Sequence, residues 1–304
     1  MKRFGVAMVV ACLLGAPLMA QVLPTVSSGL LVLHLDAGKD VVYDAGTGKV
    51  TSWMDQANDS LGIGGKFTVP GFGNAPTYVE NVVNGKPVIR FAGGDKNVLR
   101  AESPNNGVTP NAGIENDNML DWTFFFVLAN MTDTRGLMDT AHNQHNPIRF
   151  LNSNRVANQN NDGGGVPVVL PSDTSNGVLF NVTHEGGRRG DTSNLLNERY
   201  WAGFINGGEY EGSTGNESNR RVKWYEPQFG VINGGDWITG NGSAESWFTG
   251  DIAEVIVFQG VLSDADRLAV EQYITAKYGI VMVPEPATMT LLALGGLAVL
   301  RRRR

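Results

Sequence analysis

The sequence predicts an all-β sandwich closed by one C-terminal α-helix, and three observations lead there. Runs of β-branched or aromatic residues recur along the chain, each bounded by Gly, Asn, Asp or Pro, as strands joined by turns should be. The 39 glycines make the connections long and turn-rich. A single late segment combines helix start and stop signals, and strands followed by one helix suit a layered β fold with the helix on its edge.

Taken in order, the predicted strands are Leu30 to Leu35, Pro87 to Phe91, Trp122 to Leu128, Gly177 to Val182, Tyr200 to Ile205 and Ile252 to Phe258. The stretch from Asn152 to Asn176, rich in Asn, Gly and Ser, reads as a surface loop or insertion, because strand signals resume on both sides of it. The helix starts at Ser263, an N-cap with Asp266 three residues on. It runs to about Lys277, with Gly279 suited to the left-handed position after its end. Ala265, Leu268, Ala269, Tyr273 and Ala276 fall at spacings of three and four, a narrow stripe expected to dock on a sheet.

Both ends of the chain read as addresses. Lys2-Arg3, an apolar stretch from Phe4 to Leu14, and Pro17 to Ala20 form the basic, apolar and small-residue regions of a secretory signal over residues 1–20, cut before Gln21. Val9-Val10-Ala11-Cys12 also resembles a lipobox, although the residues after Cys12 stay apolar where a lipoprotein would turn polar. Removal of the signal removes Cys12, the single cysteine, which leaves neither a disulfide nor a thiolate metal site. Setting aside Lys2, Arg3 and Arg301 to Arg304 leaves 18 basic residues, and setting aside Glu285 leaves 29 acidic ones. The body from Gln21 to Val283 then carries a formal charge of −11, which argues against binding nucleic acid or anionic lipid.

At the other end, Pro284-Glu285-Pro286 precedes an apolar run from Ala287 to Leu300 and the cluster Arg301, Arg302, Arg303 and Arg304. The run is short for a span of about 20 residues. The arginines would stop export on the cytoplasmic side, so the segment reads as a membrane helix that anchors the chain transiently. Motif, short helix and arginines together resemble the PEP-CTERM sorting signal, over residues 284–304. The resemblance implies an exported protein that uses the export machinery of a Gram-negative bacterium. An exosortase-type membrane protease would recognise the motif, cut near it and pass the body to the outer envelope, cell surface or extracellular matrix.

The 263 residues between the two addresses carry a second resemblance. Leu33 to Ala37, Gly48 to Gln56, Ala75 to Val79, Asn84 to Phe91, and Phe248 to Phe258 leading into Leu262 to Asp266 and Tyr273 to Gly279 are similar to the bacterial laminin-G-like, concanavalin A-like jelly-roll family. The match covers both ends of the body, as one domain over residues 21–283 needs if its first and last strands pair in one sheet. It implies a carbohydrate-binding or adhesive module, with glycosidases as a minority.

The enzyme alternative rests on the last strand. Retaining glucanases of this fold carry a Glu-x-Asp-x-x-Glu type of strand, and Asp251-Ile252-Ala253-Glu254 imitates its end, but Thr249 stands at the nucleophile position. Unless the strand bulges, Asp251 and Glu254 point to opposite faces and cannot share a scissile bond. The expectation is therefore a non-enzymatic protein in which Asp251 satisfies a turn and Glu254 makes a structural hydrogen bond. A secreted glycosidase or lyase and a purely structural matrix component stand as alternatives.

Other chemistry is sparse. His142 and His145 lie in a polar loop without partners at metal-ligand spacing, His34 reads as a hydrogen-bonded core histidine, and His184 reads as a turn. Candidates for a calcium site are Asp117 and Asp121, with Asn116, Asn118, Asp133 and Asp139 nearby, but no ligand repeat fixes them. Candidates for stacking on a sugar of an extracellular polysaccharide are Trp201, Tyr210, Trp224, Tyr225 and Trp237, whereas Trp53 and Trp122 read as core.

Overall fold

The computed structural model describes residues 22–57, 65–102, 121–133, 136–139, 149–151, 155–157, 165–167, 171–184, 201–210, 227–233 and 244–283. Two sheets face each other. The larger has eight strands, running Gly208–Tyr210, Trp201–Ile205, Val178–His184, Trp122–Asp133, Thr249–Gln259, Lys86–Phe91 and Thr77–Val83, with Leu30–Asp36 beside Thr249–Gln259. The second has six shorter strands: Val41–Tyr43, Val50–Met54, Lys66–Thr68, Leu99–Ala101, Gln228–Phe229 and Met138–Asp139. All six predicted strand runs are present, and the first strand, Leu30–Asp36, pairs antiparallel with the last, Thr249–Gln259.

Side chains alternate along the strands and so sort into two layers. Phe124, Phe126 and Leu128 point between the sheets, where they meet Trp53, Phe67, Leu99 and Phe229. Phe125, Val127 and Ala129 point outward, under the α-helix Asp264–Tyr278. Trp53 and Trp122 are fully buried, as expected of core residues, and Trp53 Nε1 donates to the Asp36 carbonyl at 3.0 Å.

The helix caps follow the sequence. Ser263 Oγ accepts from Asp266 N at 3.2 Å, and Gly279 takes a left-handed φ of 65°. The docking face does not follow it. Ala265, Leu268 and Ala276 are exposed, and the buried residues are Arg267, Val270, Glu271, Tyr273, Ile274 and Tyr278. Of the expected stripe only Tyr273 is buried; the helix is turned so that charged side chains take part in the contact.

Within the segment 152–176, Arg155–Ala157 and Gly165–Pro167 form a three-stranded sheet with Arg149–Leu151. His184 is not in a turn but ends the strand Val178–His184, opposite Trp201 and Trp122.

Candidate functional site

The last strand holds the two carboxylates that the sequence singled out, and its geometry differs from a regular strand. Pairing with Trp122–Asp133 slips between Ile252 and Glu254, so Ala253 is an extra residue. Ile252 and Val255, three apart, consequently both face the sandwich interior. By the same shift Asp251 and Glu254 both face outward, which corrects the expectation that they lie on opposite faces.

They do not form a pair. Asp251 is not in a turn: it lies within the strand, fully buried, and accepts from Arg90 Nε and Nη2, each at 2.7 Å, and from Asn130 Nδ2 at 2.7 Å. Glu254, also fully buried, accepts from His34 Nε2 at 2.7 Å, Tyr273 Oη at 2.9 Å and Lys277 Nζ at 2.9 Å. Lys277 Nζ in turn donates to Asp36 Oδ2 at 2.7 Å and to Tyr273 Oη at 3.2 Å. The expected structural role of Glu254 and the hydrogen-bonded core role of His34 are thus one network, which joins the first strand, the last strand and the helix.

Electrostatics keep this network charged. Burial alone would raise the Glu254 carboxyl, but the hydrogen bond from His34 and the charge of Lys277 outweigh it and hold it below its ordinary value. Burial and the Glu254 charge push the Tyr273 and Tyr278 phenols up, so both keep their protons. With Glu254 ionised and able only to accept, His34 Nε2 is the donor of the bond between them.

Beside the network opens a cleft of about 1180 Å³. It is lined by His34, Asp36 and Gln56, by Leu23 and Val26 of the N-terminal segment, and by Lys86, Pro87 and Lys277. The Pro87 side is set by a two-residue turn, in which Asn84 and Gly85 take φ of 48° and 73° between the paired residues Val83 and Lys86. The N-terminal wall is held by Asp266, whose carboxylate accepts from the backbone N and Oγ of both Ser27 and Ser28 at 2.6 to 3.1 Å. The Ser28 hydroxyl is the largest cause that lowers the Asp266 pKa, to about 2.

The sequence did not single out Asp36, Gln56 or Lys277. The signal for Asp36 was visible: His34 and Asp36 are polar residues two apart in an apolar strand, hence on one face. Trp201 and Tyr210 start and end neighbouring strands at the far edge of the large sheet, away from this cleft. Trp224, Tyr225 and Trp237 lie outside the described residues, as do Asp117, His142 and His145. Asp121 is exposed, and its carbonyl accepts from Gly260 N at 2.7 Å. Among the described residues no three His, Cys, Asp or Glu side chains come together to hold a metal ion.

The body ends against the turn between Trp201–Ile205 and Gly208–Tyr210, where Val283 N donates to the Asn206 carbonyl at 2.7 Å. Pro284, Glu285 and Pro286 follow directly. Residues 283–304 match the PEP-CTERM protein-sorting motif. The PEP-CTERM tail implies an exported protein recognised by an exosortase-type membrane protease. No helix among the described residues is long and apolar enough to cross a membrane, and the run Ala287 to Leu300, like residues 1–20, lies outside them.

No curated protein matches the chain. Similar solved structures include domain 4 of AbnA, a GH43 extracellular arabinanase from Geobacillus stearothermophilus, in complex with arabinotriose. It shows 13% identity and a TM-score of 0.45 over 81% of this chain and 99% of that one. Another is an arabinofuranosidase complexed with arabinofuranosyl-alpha-1,2-xylobiose, with 15% identity and a TM-score of 0.47 over 84% of this chain and 61% of that one. A third is the binding domain of botulinum neurotoxin DC in complex with SialylT, with 12% identity and a TM-score of 0.48 over 80% of this chain and 52% of that one. At these identities the likeness concerns fold alone, and the sugars belong to those proteins.

Proposed function

We propose that this chain is a non-enzymatic, glycan-binding or adhesive protein of the cell surface or extracellular matrix. Its body is a concanavalin A-like jelly roll, and its tail is cut by an exosortase-type protease in the envelope of a Gram-negative bacterium. The observation that carries this reading is the sorting motif at residues 283–304, placed directly after the contact of Val283 with Asn206. A protein delivered there meets polysaccharide, and the cleft of about 1180 Å³ exceeds the roughly 300–1,000 Å³ of ordinary small-molecule sites, leaving room for the end of a chain of sugars. The non-enzymatic part is supported by Asp251 and Glu254, which are both buried and each occupied by its own cation.

Two measurements test this. Mass spectrometry of the mature protein is expected to show loss of Arg301 to Arg304, and changing Pro284, Glu285 or Pro286 is expected to block that loss without unfolding the body. A mature product that retains the arginines would refute the sorting role. A saccharide array probed with the full-length protein is expected to show binding, with no release of reducing sugar. Hydrolysis abolished by Asp251→Asn or Glu254→Gln would favour the enzyme instead.

A further inference from the structure

We propose that the cleft beside the first strand takes an acidic saccharide, a sugar chain whose uronate carboxylate pairs with Lys39 and Lys86. The proposal rests on the glycan-binding reading and names its site and ligand class. Its starting point is a local reversal of charge. The body carries a formal charge of −11, but the charged side chains that line the cleft are Lys39, Lys86 and Lys277 against Asp36 alone. A Debye length of about 8 Å at physiological salt keeps distant carboxylates from cancelling this contrast.

The lysines differ in what already holds them. Lys277 is occupied, since its ammonium donates to Asp36, Glu254 and Tyr273. Asp36 is occupied too: Oδ2 accepts from Lys277 at 2.7 Å, and Oδ1 accepts from Gly38 N at 2.8 Å. The Lys39 ammonium stands 3.9 Å from Asp36 Oδ2, beyond hydrogen-bond reach, on a side chain that is 56% exposed. The Lys86 ammonium has neither an ion pair nor a hydrogen bond among the described residues, although Lys86 is half-buried. A cation left uncompensated in a concave site draws an anion, because the low-dielectric walls focus its field.

The two free lysines belong to one part of the cleft. A methyl group placed on Gly38 would lie 3.8 Å from Pro87 Cγ, so the turn after the first strand abuts the start of Lys86–Phe91. Lys39 and Lys86 are each one residue from that contact. Leu23, Val26, Leu31 and Pro87, all part-exposed, line the same cleft. An inorganic anion would leave them uncovered, whereas a sugar ring lays C–H surface on them while its carboxylate reaches the ammoniums. Nucleic acid would bring many phosphates against the acidic surface beyond the cleft.

The test is calorimetric titration of the full-length protein with uronate oligosaccharides, with their methyl esters, and with sulfated and neutral oligosaccharides. Uronates are expected to bind, more tightly at low salt than at high. The esters, which keep the shape and lose the charge, are expected to bind about tenfold more weakly. Lys86→Met is expected to weaken uronate binding about tenfold, the loss of one charge-assisted hydrogen bond, and the more exposed Lys39→Met about threefold, both with the thermal midpoint unchanged. Uronate binding unaffected by either substitution would overturn the cleft and leave the glycan-binding reading standing. Esters or neutral sugars that bind as tightly as uronates would overturn the acidic class, and tighter binding of sulfated sugars would overturn the carboxylate. Failure of every saccharide to bind would overturn both readings.

Discussion

Among the described residues, one face of the large sheet packs through an apolar cluster and the other is laced with charge. Inside the sandwich, Phe124, Phe126, Phe180, Val255 and Val257 pack against the second sheet with no ionisable residue among them. Phe126 lies between Phe124 and Phe180, with ring centroids 6.4 and 6.1 Å away. On the outer face the same strands contribute His34, Asp36, Asn181 and Glu254, and the helix answers with Arg267, Glu271, Tyr273 and Lys277. Apolar packing is non-directional, and a sheet alone can hold its partner by it. A helix on a sheet has many rotations to choose from, and paired charges at fixed places select one, which is the best-attested use of buried ions.

The largest effect should come from the apolar face. Phe126→Ala removes a fully buried ring from the middle of the interior and should cost about 3–5 kcal/mol in denaturant unfolding. Ile274→Ala, at the helix contact, belongs to the 2–5 kcal/mol range that depends on how far the site collapses. A cost for Ile274 as large as that for Phe126 would mean that the helix is part of the same cooperative core.

Next comes the charged face. Lys277→Met leaves Glu254 and Asp36 buried without their shared cation and should cost about 3 kcal/mol, as broken buried pairs do. It should also change the acid limb. Glu254 titrates below its ordinary 4.5 when folded, so its contribution is complete above that pH and is lost as pH falls through the lower folded value. Without Lys277 the folded value rises, and stability should fall less steeply as pH drops below 4.5. Unfolding midpoints from pH 7 to 3 decide it, and an acid limb as steep as in the unchanged protein would show that the ion pair is idle.

A smaller effect belongs to the start of the helix. Ser263→Ala loses the cap to Asp266 N and should cost about 1 kcal/mol. Hydrogen exchange should localise the loss to the first turn. If exchange quickened along the whole helix instead, the cap would govern docking and the charge network would not.

The strands were legible because each is a run of residues that fits a pleated, buried surface, and Trp53, Trp122 and His34 could be placed in the core on that ground. The bulge at Ala253 was not, since nothing in Asp251-Ile252-Ala253-Glu254 marks an extra residue; it appears only when the strand pairs with Trp122–Asp133. The helix was legible in its caps and illegible in its face. Hydrophobic spacing points to Leu268, whereas the sheet selects Arg267 and Glu271, which bond to each other at 2.7 Å. Asn181 donates to Glu271 at 3.1 Å, and the Arg267 guanidinium lies 4.2 Å from the Phe204 ring. A charged residue reads as solvent-facing until its partner on another strand is known. For the same reason Gln56 and Lys277, which line the cleft, carried no signal of their own.

The smallest effect is therefore at the residue that the pattern favoured. Leu268 is 43% exposed, so Leu268→Ala forms little cavity and should change stability by less than about 0.5 kcal/mol. Taken alone, that result would suggest an undocked helix serving only as a spacer before the sorting tail. Measured beside Ile274→Ala it separates two cases. A silent Leu268 with a costly Ile274 means a docked helix whose contact face runs through Arg267, Glu271, Ile274 and Tyr278. If both were silent, the helix would contribute nothing to the fold, and the wall of the cleft formed by Lys277 would lose its anchor.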